Sequence, residues 1–369
     1  MQNFKFRSLF LKGCAVTAAF LGLTNGSEAF AEKVQLRINE WPTYVSMHKK
    51  EFEAFAKKKG LDVELIVVKP DISDEQVLFE NLRKEEIDVI TPTESFIHAR
   101  QGKLMNLIAP IDESKVEGYE VIPESLRKSK FHHDDKGKSY GVVFMAGLYG
   151  LYYNSEKVKT PPTSWDVLWS DAAKGKYSVS ADTYFVNGHI SQWTLDGQNI
   201  ENAYDVDKMN KAKLQSKLDH LAKEAAHLWK GVGNTPDQLK NLNYTASWGF
   251  ELPSNWRLAH PKPGSPMWVD VLSISKKAAA NPKKLQAYYL LASFTNTKEA
   301  QHLFMQRLRA FPLNAQAKSL MKPDEIATYR PGDNSLFDAR FFWRPLTDRT
   351  GNTLMEMWKA AVSKRGSAI

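Results

Sequence analysis

The chain has 369 residues, a formal net charge of +8 and 43% hydrophobic residues, which is enough to bury a sizeable core. Its basic residues are interspersed with acids, apart from a cluster on one predicted helix. This pattern argues against a nucleic-acid surface, so we expect no nucleic-acid partner. The single cysteine, Cys14, excludes disulfides, cysteine nucleophiles and zinc–thiolate sites from the chain that follows it.

The first 31 residues have the pattern of a secretory signal peptide. A basic segment precedes an apolar run from Cys14 to Leu23, and a small-x-small cleavage signal ends at Ala31. The apolar run is shorter than the roughly 20 residues of a membrane span. We therefore predict cleavage before Glu32 and a periplasmic mature protein.

Strand and helix patterns alternate through the N-terminal half. Four features carry the pattern: VQLRINEW reads as a strand ending at Trp41, residues 46–59 as a helix, DVELIVVK as a buried strand, and Ser73–Gln76 as a capping box before a helix to Lys84. The strand IDVITP follows. Such alternation predicts an α/β fold with a mostly parallel sheet.

The C-terminal half begins with two strand patterns that have no helix between them. The later signals are a cap at Ser164 before Trp165–Trp169, the strand GKYSVSAD, a helix through Leu214 and Leu228, the strands NYTASWGF and MWVDVLSIS, helix starts at Asn281 and Thr297, and a last helix from Asn352 to Lys364. A mature length of about 340 residues favours two domains.

Candidate binding residues lie where predicted strands end. Trp41 and Tyr44 follow the first strand, residues 93–95 follow the third, and Asp182 ends a later one. Because open α/β sheets bind ligands beyond the carboxyl ends of their strands, these positions predict a cleft.

The stretch GSPMWVDVLSIS places Trp268 and Asp270 two residues apart, so both side chains project from the same face of a strand. Trp41 and Trp248 also lie near breaks in periodicity. Aromatic faces attract cations, and a buried carboxylate neutralises them through charge-assisted hydrogen bonds. Together with Asp182, these residues favour a site for an ammonium group.

Motifs of enzyme chemistry are absent: the sequence has no GxGxxG, Walker, HExxH or GxSxG pattern. The run HHDD at residues 132–135 has a turn composition, and adjacent side chains rarely converge on one ion. We therefore expect a binding protein without catalytic residues, cofactor or metal.

Five collinear blocks resemble the periplasmic spermidine/putrescine-binding proteins, which belong to the solute-binding proteins of ABC importers. They are INEWPTYV, EIDVITPTESFIHARQGKLMNLI, YYNSEKVKTPPTSWDVLWSDAAKGKYSVSAD, MWVDVLSIS and FPLN, and the resemblance extends over residues 34–350. It implies a two-lobed periplasmic-binding-protein fold of type II, with the ligand cleft between lobes joined by crossing segments.

The resemblance also implies a set of ligand-binding positions. They are Trp41 and Tyr44, Thr93, Glu94 and Ser95 in the polar loop, Asp182, Phe185, Trp248, Trp268, Asp270, Phe311 and Arg344. In the family pattern, Asp270 receives a terminal amine and Trp268 flanks the ligand.

Three of these positions depart from the family. Phe185 stands where polyamine binders usually carry a second acid, Phe311 where they have Tyr, and Arg344 where they commonly have a neutral amide. A second positive charge disfavours a polycation. A ligand with one ammonium and one acidic or polar end then fits better, with Arg344 holding a carboxylate, while a polyamine remains the other possibility.

The implied mechanism is hinge closure around the ligand. Residues 32–146 and 271–315 would form the first lobe, and residues 147–270 and 316–369 the second. The closed form would dock on an ABC permease in the inner membrane, and we expect a monomer.

Two alternatives remain at this stage. Tyr152 and Tyr153 suggest a ferric-iron or other small-solute binder of the same fold, because related binders use adjacent tyrosines. An exported hydrolase is the alternative from another class.

Overall fold

The computed structural model describes residues 33–42, 44–84, 86–98, 102–195, 200–262 and 264–366. The predicted signal peptide and its cleavage site lie outside these ranges. Within them, no helix has both the length and the apolar character needed to cross a membrane.

The strands fall into two separate sheets. They are β1 (Val34–Asn39), β2 (Val63–Val67), β3 (Val89–Ile90), β4 (Val142–Leu148), β5 (Gly150–Asn154), β6 (Tyr177–Ser180), β7 (His227–Trp229), β8 (Tyr244–Ser247), β9 (Trp256–Leu258) and β10 (Met267–Ile274).

The helices cover both sheets. Those with described bounds are α1 (Lys49–Lys58), α2 (Glu75–Arg83), α3 (Glu124–Arg127), α4 (Tyr184–Leu195), α5 (Lys211–Glu224), α6 (Pro236–Leu239), α7 (Lys276–Ala279), α8 (Pro282–Thr295), α9 (Lys298–Leu308), α10 (Pro323–Tyr329) and α11 (Asp348–Gly366).

The first sheet has the order β2-β1-β3-β10-β4. Strand β1 runs parallel to β2 and β3, whereas β10 is antiparallel to β3 and β4. Every residue of β10 is buried, since the strand lies inside the sheet and helix α8 packs against it. A polar residue on β10 is therefore held in the interior.

The second sheet has the order β7-β6-β8-β5-β9. Strand β6 is parallel to β7 and β8, and β5 is antiparallel to β8 and β9. Helices α4, α5 and α11 pack together beside it. The last helix of the chain thus belongs with the second sheet.

Short crossing segments join the two sheets. Strands β4 and β5 belong to different sheets and are separated by Tyr149 alone. The Tyr149 N–H donates a hydrogen bond of 2.9 Å to the carbonyl of Pro266, which immediately precedes β10. The predicted α/β fold of two lobes joined by crossing segments is confirmed.

Most predicted elements are present, with shifts at their ends. Helix α2 is capped by Asp74, whose carboxylate accepts from the Val77 N–H at 2.9 Å, so the predicted capping box at Ser73 is wrong. A 3₁₀ turn, Val45–His48, precedes α1, and Trp165–Trp169 is also a 3₁₀ turn. The last helix begins at Asp348 instead of Asn352.

Helix α4 was not predicted from the sequence. Its middle residues are buried all round, including the polar Asn187, His189 and Gln192. Without a polar face there is no helical period for a sequence pattern to show.

Candidate functional site

Asp270 is a buried carboxylate in the middle of the first sheet. It lies on β10, forms an isolated backbone bridge with Thr93, and has only 2% of its surface exposed. The Tyr44 hydroxyl donates a hydrogen bond to its Oδ2 atom. Its other oxygen, Oδ1, is buried and has no partner among the residues that the structure describes.

Burial raises the pKa of Asp270 to about 7. The hydrogen bond from Tyr44 and the nearby side chain of Thr93 lower the pKa, and the negative charge of Glu94 raises it. The pKa of Tyr44 is raised well above its ordinary value by burial and then by the charge of Asp270. Tyr44 therefore remains a neutral donor, while Asp270 changes its charge near neutral pH.

The polar loop after β3 lies next to Asp270. Thr93, Glu94 and Ser95 are all buried, and a 3₁₀ turn begins at Glu94. The Oε2 atom of Glu94 lies 2.7 Å from Nδ1 of His132. Within the described ranges, its Oε1 atom is buried and unpaired. Two neighbouring acids thus each keep one free oxygen.

Trp268 is packed directly on a glycine of the neighbouring strand. It pairs with Gly147 in the β10–β4 register, and a methyl group added at Gly147 would lie 2.2 Å from Cζ2 of the indole. Glycine is needed there because the ring occupies the space of a side chain. The indole Nε1 is buried and has no partner in the part of the chain described.

Trp41 contributes a further aromatic face, beyond the end of β1. It is half-buried, and its ring centroid lies 6.1 Å from that of Phe96, which follows the polar loop. Trp41 therefore packs against the loop that carries Glu94.

An aromatic cluster around Trp343 approaches the beginning of β10. The ring of Trp343 packs edge-on against Phe185 at 4.8 Å and against Trp248 at 5.6 Å. The backbone N–H of Trp343 donates a 2.9 Å hydrogen bond to the carbonyl of Met267. This contact places the backbone of Trp343 beside the first residue of β10.

Arg344 forms an ion pair with Glu201. Both of its terminal nitrogens donate to the carboxylate of Glu201, and its guanidinium lies 5.2 Å from the ring centroid of Tyr204. Glu201 thereby compensates the positive charge that the sequence placed in the site. Among the described residues, Nε of Arg344 has no hydrogen-bond partner, so Glu201 engages only the terminal nitrogens of the guanidinium.

Asp182 and Phe311 have different surroundings from Asp270. Asp182 is exposed, and its Oδ2 accepts a 3.0 Å hydrogen bond from the Gly231 N–H. Phe311 is buried with its ring edge-on to Tyr329 and Phe337. In the described residues, no hydrogen bond links either side chain to Asp270.

Sequence reasoning did not find the partner of Glu94. His132 is fully buried, and its ring centroid lies 4.4 Å from that of His133. Side-chain ligand atoms of Glu113, His132 and His133 come within 4.8 Å of one another. The HHDD motif marked this segment, but only the fold brings Glu94 and Glu113 to its two histidines.

The adjacent tyrosines of β5 do not form a joint site. Consecutive strand residues project to opposite faces, so Tyr152 and Tyr153 cannot converge on one ion. Tyr152 instead directs its hydroxyl towards the carbonyl of Trp248 at 3.5 Å. This geometry gives no support to the ferric-iron alternative.

Comparison with known proteins places the chain among binding proteins. A curated relative, the putrescine-binding periplasmic protein SpuD of Pseudomonas aeruginosa strain UCBPP-PA14, is 27% identical over 157 residues, which is 40% of this chain and 40% of that protein. The chain thus matches well under two thirds of the length of this relative.

Solved structures show the same fold. The spermidine/putrescine ABC transporter substrate-binding protein PotD of Streptococcus pneumoniae matches with a TM-score of 0.70 and 19% identity, covering 90% of this chain and 99% of that one. The binding protein AgtB of A.tumefacien R10, in complex with agropinic acid, matches with a TM-score of 0.57 and 16% identity over 89% and 99% of the two chains.

The family described as bacterial extracellular solute-binding protein matches residues 50–330, which is most of the chain. Its members bind solutes, in agreement with the two lobes and with the buried acid and aromatic side chains near their junction. The protein belongs to the bacterial extracellular solute-binding protein family.

Proposed function

We propose that the protein captures a small organic amine between its lobes and delivers it to an ABC permease. The observation that carries this proposal is the Oδ1 atom of Asp270, which is buried without a partner among the described residues. Leaving such an acceptor unsatisfied costs about 1–3 kcal/mol, more for a charged group, and a bound ammonium would remove that cost.

The aromatic residues support the same class of ligand. Trp268 lies on the same face of β10 as Asp270, and Trp41 packs beside the polar loop. Indole faces attract ammonium groups, by about 2 kcal/mol when water is excluded. An acid beside indole faces suits an ammonium group, because the carboxylate neutralises its charge and the rings attract it.

Arg344 bears on which amine is bound. Because Glu201 compensates its charge, Arg344 gives less reason to reject a polyamine than the sequence suggested. The partial similarity to a putrescine-binding protein points in the same direction. We therefore place a diamine such as putrescine first and an amine-carboxylate second.

The mechanism we propose is hinge closure about the crossing segments near Tyr149 and Pro266. Asp270, Glu94 and Trp268 are buried, so a ligand reaches them only when the lobes separate. A ligand that contacts both lobes favours the closed form, which the permease would recognise. The protein would act as a periplasmic monomer after cleavage before Glu32, and it would catalyse no reaction.

We propose lobes close to those expected from the sequence, 32–146 with 271–315 and 147–270 with 316–369, with one change at the boundary. Since β10 pairs along its whole length with the first sheet, residues 147–148 and 267–270 go with the first lobe, and we place the hinge next to the first residues of β10.

The direct test is titration calorimetry with putrescine, spermidine and 4-aminobutyrate. Binding of a diamine at micromolar concentration or below would support the proposal, whereas binding of 4-aminobutyrate alone would assign the amine-carboxylate. Failure of all three amines, together with binding of a ligand that has no amine, would overturn it. Turnover of any ligand during the titration would instead indicate an enzyme.

A further inference from the structure

We propose that His132 is a positioning residue of the cation site: it holds Glu94 so that Oε1 of Glu94 and Oδ1 of Asp270 receive the same ammonium group. This inference rests on the proposed function and adds to it a second acid and the residue that orients it. A single carboxylate such as Asp270 binds an ammonium group from several directions, whereas two carboxylates fix the position of that group between them.

The backbone places the two acids together. Thr93 forms a bridge with Asp270, and Glu94 is the next residue in the chain. The charge of Glu94 acts on Asp270, since it contributes to the raised pKa of that carboxyl. Both acids are almost fully buried, and each keeps one oxygen that is unpaired within the described part of the protein.

His132 fixes the remaining oxygen of Glu94. Its Nδ1 lies 2.7 Å from Oε2, and its Nε2 lies 3.3 Å from the carbonyl of Arg127. Both ring nitrogens therefore face oxygen atoms, and the ring is held between Glu94 and the backbone of Arg127. The carboxylate of Glu94 cannot rotate without losing this hydrogen bond, so Oε1 keeps its direction.

Two more residues support this pair from the surface side. His133 directs Nδ1 to the carbonyl of Ser129 at 2.8 Å, and its Nε2 lies 3.5 Å from Oε1 of Glu113. The pKa of His133 is raised, chiefly by its hydrogen bond to Glu113. Two neighbouring histidines thus lie between Glu94 and Glu113, with each acid beside one histidine.

The charges around the site determine how amine affinity depends on pH. Asp270 faces Tyr44, Thr93 and Glu94. The negative charge of Glu40 also acts on Tyr44, and Glu94 faces His132. Removing the charge of Glu94 makes Asp270 easier to ionise, so the rise of affinity with pH moves to lower pH. Removing the His132 ring takes away the side chain that holds Oε2 of Glu94, so we expect it to weaken binding through the lost orientation of Glu94.

The experiment compares the affinity for putrescine of the wild type, Glu94→Gln, His132→Phe and His132→Gln, by calorimetry from about pH 6 to about pH 9. We expect Glu94→Gln and His132→Phe to bind about tenfold more weakly at the alkaline end, with the pH profile of Glu94→Gln displaced to lower pH. In His132→Gln the side-chain amide still donates to Glu94, so its alkaline affinity is restored.

The matched control is His302→Phe. His302 is half-buried on α9, and in the described residues its Nε2 has no partner. Thermal unfolding identifies any variant that fails to fold. If His132→Phe fails to fold, the comparison of Glu94→Gln with His132→Gln replaces it. Wild-type affinity in Glu94→Gln, or a loss in His132→Gln as large as that in Glu94→Gln, would overturn the role of His132. If the wild type binds no amine, the proposed function itself fails.

Discussion

The Tyr44 hydroxyl donates to Oδ2 of Asp270 although 226 positions separate the two residues in the sequence. This hydrogen bond occupies one carboxylate oxygen and leaves the other available inside the fold. The loop after β1 and strand β10 are thereby joined at the point where we place the ligand.

Amine affinity should rise with pH through about 7, because burial raises the pKa of Asp270 to about 7 and only the ionised carboxylate binds an ammonium group. Calorimetry in buffers of different ionisation enthalpy should detect protons released on binding near that pH. Asp270→Asn should abolish this proton release. A pH-independent affinity in the wild type would contradict the assignment.

The contribution of the Asp270 carboxyl to the stability of the unliganded protein should decrease as pH rises from about 4 to about 7. Folding raises the pKa of Asp270 from its ordinary value of 3.8 to about 7, so the folded protein binds the proton more tightly than the unfolded chain. Stability falls with rising pH wherever the folded state holds more protons. Chemical unfolding at several pH values measures this slope, and Asp270→Asn should be flatter over the same interval.

Asp270→Asn should weaken binding of a cationic ligand by more than about 2 kcal/mol, the usual scale for breaking a buried charge pair. Asp182→Asn should have a smaller effect, because its carboxylate is exposed and accepts a hydrogen bond from the Gly231 backbone. Calorimetry on the two variants gives the comparison. Equal losses would place both acids on the ligand.

Gly147→Ala should displace the indole of Trp268, since the new methyl group would lie 2.2 Å from the ring. Overpacking of this kind costs about 1–3 kcal/mol of stability, and we expect amine affinity to fall with it. Gly351→Ala is the matched control, because its nearest neighbours would lie at 3.9 Å. Thermal unfolding measures the loss of stability, and calorimetry measures the loss of amine affinity. Wild-type stability and affinity in Gly147→Ala would show that the ring of Trp268 can move freely.

Glu201→Gln should release the guanidinium of Arg344 and change ligand preference. Putrescine should bind roughly threefold to tenfold more weakly, as for other partly exposed charges near an interface, and 4-aminobutyrate should gain affinity. Competition between the two ligands measures the change. Arg344→Gln should have the opposite effect on the ratio, and a constant ratio in both variants would place Arg344 outside the site.

The fold was predictable because its signals are local. Capping at Asn281 and Thr297, the continuous apolar strands and the alternation of helices with strands all depend on neighbours within one turn or one strand. Helix α4 lacked such a signal, because its polar residues are buried by other elements and not turned to solvent. The cap at Asp74 was misplaced by one residue for a similar reason: Ser73 and Asp74 are both good caps, and only the backbone decides between them.

The sequence by itself determined the family pattern and the residue types that suit an amine: Asp270 and Trp268 share one strand face whatever surrounds them. Only the tertiary structure decided their electrostatics. It buried Asp270, paired Glu94 with His132 and compensated Arg344 with Glu201. Each of these contacts joins residues far apart in sequence, and the charge of a carboxyl or guanidinium group depends on the partners and solvent around it, which no local pattern specifies.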